Sequence, residues 1–139
     1  MTAATASRQR RSARSLDLEV AALLRCQPRS WGAYEIADVL RRTSGPISAT
    51  QVYRALDRLL ATNLVRRIES LNGFIAADGC CGPILLCQRC GKVAAMDSHQ
   101  LVAMIGELCR LAQFTATRPV IEVLGDCQSC NDGVRETQT

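Results

Sequence analysis

The chain has 139 residues, 47% of them apolar but only 4% aromatic, and a net charge of +4. That length suits one ordinary domain or two small ones with a core of Leu, Val, Ile and Ala, and no apolar run is long enough to span a bilayer. Eight cysteines without an apolar export segment point to a reducing cytoplasm, where thiols bind metals or sense oxidants, and the single histidine, His99, argues against imidazole catalysis.

Residues 1–14 are small and polar and carry Arg8, Arg10, Arg11 and Arg14. They read as a disordered basic arm, solvated in the free protein and able to neutralise phosphates or enter a minor groove beside nucleic acid. Over 15–78 three helices and a hairpin are expected. In the first helix, Leu16 to about Cys26, Leu16, Val20, Leu23 and Leu24 recur at helical spacing with Ser15 as N-cap. Gln27-Pro28-Arg29 ends it. The second runs from about Ala33 to Arg42 around Ile36, Ala37, Val39 and Leu40, and Thr43-Ser44-Gly45-Pro46 supplies a turn. The third is the best marked. Ser48 and Gln51 form a capping box, Val52, Leu56, Leu59 and Leu60 make one apolar stripe, and Asn63 is placed to end it.

Leu64–Ile68 and Phe74–Ala77 are β-prone, and Asn72-Gly73 between them is a hairpin signal. Three helices and then a hairpin is the order of a winged helix-turn-helix. In that motif the start of the last helix enters the major groove. Gln51 and Arg54 match base edges, Thr50 and Tyr53 suit phosphates or a thymine methyl, and Arg58, Arg66 and Arg67 suit the backbone. An ordinary amphipathic helix with a solvated charged face is the competing reading; the hairpin and the arginine arm favour DNA.

Asp78-Gly79-Cys80-Cys81-Gly82-Pro83 cannot continue a strand, so 79–83 is expected to be a hinge. The second unit, 84–131, reads as strand (Ile84–Cys87), strand (Lys92–Met96), helix (about Ser98–Gln113) and strand (about Pro119–Leu124), with 132–139 a tail. The fold class is therefore α+β. Cys26 and Cys109 lie on apolar helix faces and are expected to be small core residues. Two Cys-x-x-Cys clips, Cys87/Cys90 and Cys127/Cys130, each follow a short apolar run rather than the βα turn of a redox dithiol. Four thiolates in two clips suit a tetrahedral structural zinc, one per protomer. Gly91 tolerates the positive φ that such a knuckle needs past its second ligand. A unit of about 50 residues is too small for a self-sufficient core, so zinc and a partner subunit are expected to complete it. Packing on the first half as a monomer is the alternative.

Val52-Tyr53-Arg54-Ala55-Leu56-Asp57, Leu64-Val65, Ile68-Glu69-Ser70-Leu71-Asn72 and the two clips together resemble the ferric uptake regulator family, over roughly Leu18 to Cys130. Arg67-Ile68-Glu69-Ser70-Leu71-Asn72 is most similar to its zinc uptake regulator branch. The resemblance implies a homodimeric repressor with an N-terminal winged helix and a C-terminal α/β dimerisation domain, binding AT-rich palindromic double-stranded DNA of metal-uptake genes when metal-loaded. It implies DNA contacts at Tyr53 and Arg54 and structural zinc on Cys87, Cys90, Cys127 and Cys130. No enzyme, membrane partner or small organic substrate is implied.

The hinge departs from the family. Ala77 stands where the zinc branch has a cysteine, Ala95 where the family offers a carboxylate, and no histidine precedes the first clip. Two readings stay open. In one, Cys80 and Cys81, with Asp78, Glu69 or His99, hold a second, regulatory metal ion, a thiolate-rich site for zinc or another soft ion. Adjacent cysteines strain the backbone when both bind one ion, and Cys80 is the preferred ligand because it lies nearest the position of the family's histidine. In the other there is no sensing metal, and the regulator responds to oxidation of its thiols. A zinc-ribbon adaptor that binds no nucleic acid is a more distant third.

Overall fold

Helix α1 (Ala13–Cys26) opens the computed structural model, which describes residues 12–135; the expected contacts of Arg8, Arg10 and Arg11 lie outside them. The cap is Ser12 rather than Ser15. The Ser12 hydroxyl accepts the Ser15 N–H at 3.1 Å, which starts the helix a turn earlier than the apolar spacing suggests. Helices α2 (Ala33–Ser44) and α3 (Ala49–Ala61) follow. The box at the start of α3 closes as expected: the Gln51 N–H donates to the Ser48 hydroxyl at 3.2 Å, and the Gln51 amide oxygen accepts the Ser48 N–H at 2.9 Å. Two N–H groups without helical partners are thereby satisfied. Asn63, just past the Thr62 C-cap, takes the left-handed conformation (φ 56°) that turns the chain into the hairpin.

Strands β1 (Val65–Ile68) and β2 (Gly73–Ala76) pair antiparallel, Val65 against Ala76 and Ile68 against Gly73. Trp31 exchanges two backbone hydrogen bonds with Phe74, at 2.9 and 2.8 Å, which fastens the α1–α2 loop to the wing. Leu16, Val20, Leu24, Ile36, Leu40, Val52, Leu56, Leu59 and Val65 bury against one another as the first core. Each helix contributes the stripe that its periodicity marks.

A second sheet has the order β4-β3-β5. In it β3 (Ile84–Cys87) pairs antiparallel with β4 (Val93–Ala95) and parallel with β5 (Glu122–Gly125). The last strand begins later than the expected Pro119 because its pairing is as long as β3 allows, from Ile84 opposite Glu122 to Cys87 opposite Gly125. Ile68 and Ile75 on the back of the wing share a small core with Ile84, Leu86 and Val93, so the two sheets meet through apolar contact.

Helix α4 (His99–Leu111) links β4 to β5 and buries none of its residues. Met104, Leu108 and Leu111 on it, together with Phe114, Val120, Val123 and Leu124, are exposed. The expected tail is instead in part helix α5 (Gln128–Arg135), which the second clip opens. It carries no apolar stripe to announce it. Cys26 and Cys109 are not core residues. Cys26 is exposed and its thiol reaches the Ala22 carbonyl at 3.3 Å, while Cys109 is half-buried on the bare helix α4. Among the described residues no helix is long and apolar enough to cross a membrane.

Candidate metal centre and nucleic-acid interface

Cys87 closes β3, Cys90 follows one tight turn later, Cys127 lies just past β5, and Cys130 sits in the first turn of α5. Parallel pairing of β3 and β5 brings the C-terminal ends of both strands to one place, and each end delivers a clip. Gly91 has φ +77°, with its N–H on the Cys87 carbonyl at 3.0 Å, and the Gln88 N–H bonds the Gly125 carbonyl at 2.8 Å. The sulfurs of Cys87 and Cys130 stand 3.7 Å apart, as do those of Cys90 and Cys127, and all four lie within 4.8 Å of one another. Zn–S bonds of about 2.3 Å in a tetrahedron place sulfurs about 3.8 Å apart. The four side chains present therefore fit a tetrahedral zinc.

The electrostatics agree with that chemistry. The Cys127 N–H donates to the Cys87 sulfur at 3.3 Å. That bond, with further backbone N–H groups from Cys90 and Arg89, lowers the Cys87 thiol to about 6. Cys130 moves the other way, pushed up to about 12 by the neighbouring sulfurs of Cys127 and Cys87. Gathering a second and third negative charge around the first is unfavourable without a cation.

On α3, Val52, Ala55, Leu56 and Leu59 are buried, and Thr50, Gln51, Tyr53, Arg54 and Arg58 are exposed. Two of these are already engaged. The Gln51 amide oxygen is held in the capping box, so a two-point contact to adenine requires opening it. Arg58 is paired with Asp17 on α1, Nη2 to Oδ1 at 2.7 Å and Nε to Oδ2 at 2.9 Å. Thr50, Tyr53 and Arg54 point outward. Tyr34, at the start of α2, meets Tyr53 edge to face with centroids 6.1 Å apart, and both rings are exposed. Sequence periodicity does not single out Tyr34, because its neighbour becomes visible only once α2 packs on α3.

The expected hinge cluster is rearranged. Cys81, rather than Cys80, meets His99, Sγ to Nδ1 at 3.4 Å, and the third member is Asp97, whose Oδ1 lies 3.4 Å from the Cys81 sulfur. Asp97 escaped the sequence reading because only the β3–β4 register, Ile84 opposite Ala95, brings the flanking residues together. Burial and the hydrogen bond to Asp97 push the Cys81 thiol up, while the Cys81 N–H and thiol hold Asp97 below the usual carboxylate range. Asp78 pairs instead with Arg25 at 2.7 Å, and Glu69 with Arg118 at 2.9 Å. Cys80 lines a cavity of about 600 Å³ with Arg66, Glu69, Arg118 and Glu122. Ala77 is buried and Ala95 half-buried, and neither offers a donor side chain.

The chain is 30% identical over 118 residues to the zinc uptake regulation protein of Escherichia coli (strain K12), covering 81% of this chain and 69% of that protein. Its identity to the zinc uptake regulation protein of Mycobacterium tuberculosis (strain ATCC 25618 / H37Rv) is 29% over 101 residues, 70% of this chain and 78% of that one. Among solved structures it is similar to a zinc uptake regulator complexed with zinc and DNA. There the TM-score is 0.78 at 28% identity, over 86% of this chain and 83% of the other. No protein-family model matches the chain.

Proposed function

The chain belongs to the ferric uptake regulator family, in its zinc uptake regulator branch, and from that premise we propose that it is a metal-responsive repressor of metal-uptake genes, binding palindromic operator DNA as a cytoplasmic homodimer. Its relatives are zinc uptake regulation proteins rather than enzymes. The observation that carries the reading is α3, a capped helix with one wholly buried stripe and an exposed face of Thr50, Tyr53 and Arg54. A helix fixed on one side and free on the other is what major-groove reading needs. Arg54 would address a guanine edge, and Tyr53 with Tyr34 would position the helix on phosphates.

Support for the homodimer comes from the second unit. A 13-residue helix without a buried side chain and an edge strand with exposed Val123 and Leu124 leave apolar surface in water that a partner would cover. A second copy covering that surface would set two α3 helices on successive major-groove faces of a palindrome. Zinc on Cys87, Cys90, Cys127 and Cys130 supplies cross-linking when bound, holding β3 and β5 in register. The working units are taken as 15–78 and 84–131, joined at 79–83.

The thiol-redox alternative has less support at Cys81, where burial and the hydrogen bond to Asp97 push the thiol up.

A duplex-binding titration with zinc, with chelator and at several salt concentrations tests the proposal. The zinc-loaded protein should bind a palindromic operator with a steep salt slope. Cys130→Ser should lose the structural zinc, dissociate to monomer and bind roughly 100-fold more weakly. Absence of salt-dependent duplex binding at any metal load would sink it.

A further inference from the structure

We infer that Cys81, Asp97 and His99 form a second metal site for a zinc-class divalent ion, with its fourth position open to water. Three ligand types converge there: the Cys81 sulfur, a carboxylate oxygen of Asp97 and a ring nitrogen of His99, all within 4.8 Å of one another. Tetrahedral zinc with bonds of about 2.0–2.3 Å spaces such atoms by roughly 3.3–3.6 Å. The Cys81–Asp97 and Cys81–His99 separations are both 3.4 Å. A thiolate, a carboxylate and a neutral imidazole balance a divalent cation. The sulfur and nitrogen donors also favour zinc-like ions over magnesium or calcium, which take oxygen.

The two chain segments that carry the ligands are held together by backbone, independently of any ion. The Gly82 N–H bonds the Met96 carbonyl at 3.0 Å, and the Met96 N–H bonds the Pro83 carbonyl at 2.9 Å. A Cβ on Gly82 would lie 2.4 Å from the Met96 oxygen and 2.7 Å from the Ser98 nitrogen. The approach is so close that only glycine fits, and it leaves Cys81 and Asp97 face to face. The Cys81 N–H also donates to Asp97 Oδ1 at 3.3 Å. Binding would release the Cys81 thiol proton to solvent, with the sulfur pair taken up by the metal and no redox change.

The four-cysteine centre is closed, with each coordination position filled by sulfur. The Cys81–Asp97–His99 set is half-open to solvent and lies beside the linker, where Arg66 bonds the Gly82 carbonyl at 2.5 Å. An ion here can exchange, and its arrival stiffens the segment joining the two units. That regulatory role rests on the DNA-regulator reading; ion binding itself does not.

The test is metal content of the full-length protein, dialysed to equilibrium against micromolar free zinc. Wild type should hold about two zinc ions per protomer, and Cys81→Ser and His99→Ala about one. Cys80→Ser should keep both. His99 has a side chain 85% exposed, so its removal leaves folding intact if Cys81→Ser does not. Cobalt in the exchangeable position should give a thiolate charge-transfer band that Cys81→Ser abolishes. A wild type saturating at one equivalent overturns the site, as does retention of both ions by His99→Ala and Cys81→Ser. Loss of the second ion in Cys80→Ser but not in Cys81→Ser overturns it too. Operator titrations on the same samples separate the readings. Two ions with no change in duplex affinity leave the site standing and remove its regulatory role.

Discussion

The carboxylate of Glu122, on β5, accepts the backbone N–H of Glu69 at 2.5 Å and of Ser70 at 3.1 Å, so the second unit holds the turn of the wing by its main chain. Arg118 pairs with Glu69 alongside, and Arg66 bonds the Gly82 carbonyl. Burial pushes the Glu122 carboxyl up, but bonds from Ser70 and Glu69 outweigh it and hold it below 4.5. A carboxyl lowered by folding adds stability above its unfolded value, and that stability is lost as pH falls through the folded one. Glu122→Gln should therefore cost about 1 kcal/mol at neutral pH, after allowance for solvent screening. Urea unfolding should show the gap from wild type closing below about pH 4.

Proton release on zinc uptake should report the Cys87 environment. With that thiol lowered to about 6, its proton has already left near neutrality. Titrating zinc into metal-free protein in buffers of different ionisation enthalpy should release about one proton fewer near pH 7.5 than near pH 5. Without metal, the lowered Cys87 adds stability that is full above 9 and is lost as pH falls through about 6. The raised Cys130 opposes it, its contribution being present below 9 and lost as pH rises towards about 12. Equal proton counts at the two pH values would contradict the assignment of Cys87 as the pre-ionised ligand.

Asp17 restrains an arginine on the face proposed to meet DNA. Asp17→Asn should free Arg58 for a phosphate, tighten duplex binding a few-fold and steepen the slope of log K against log salt by up to about 0.9. The core between α1 and α3, including Leu16, Val20 and Leu56, is untouched by this change. An unaltered slope would mean that Arg58 does not reach the duplex.

Gly82→Ala should cost about 1–3 kcal/mol, because the added carbon meets backbone on two sides rather than a movable side chain. Thermal unfolding should register the loss as a drop of several degrees. Uptake of the second ion should weaken in the same variant, since the displaced 96–98 segment carries Asp97.

Much of this architecture is legible in local sequence. The Ser48–Gln51 box, the stripe Val52–Leu56–Leu59, the Asn72-Gly73 turn and the two clips are short-range signals, and each places its element correctly. What escapes depends on contacts between distant segments. Nothing near Asp97 says that it will face Cys81, and nothing near Asp17 says that it will take Arg58. The preference for Cys80 followed chain position, whereas a sheet register selects Cys81. The sequence of α5, Gln128–Arg135, has no apolar periodicity, so pattern could not find it. On the outward face of α3 the capping role of Gln51 is legible in sequence, whereas the pairing of Arg58 with Asp17 is not.

Parallel pairing of β3 with β5 also constrains how the protein is made. The second pair of sulfurs emerges from the ribosome well after the first, with Cys127 following Cys90 by 37 positions. A nascent chain thus carries α1 to α3 and the wing while β3 still waits for β5. Products that stop short of β5 would carry only two of the four sulfurs and would lack both that strand and the cross-link proposed to hold it beside β3.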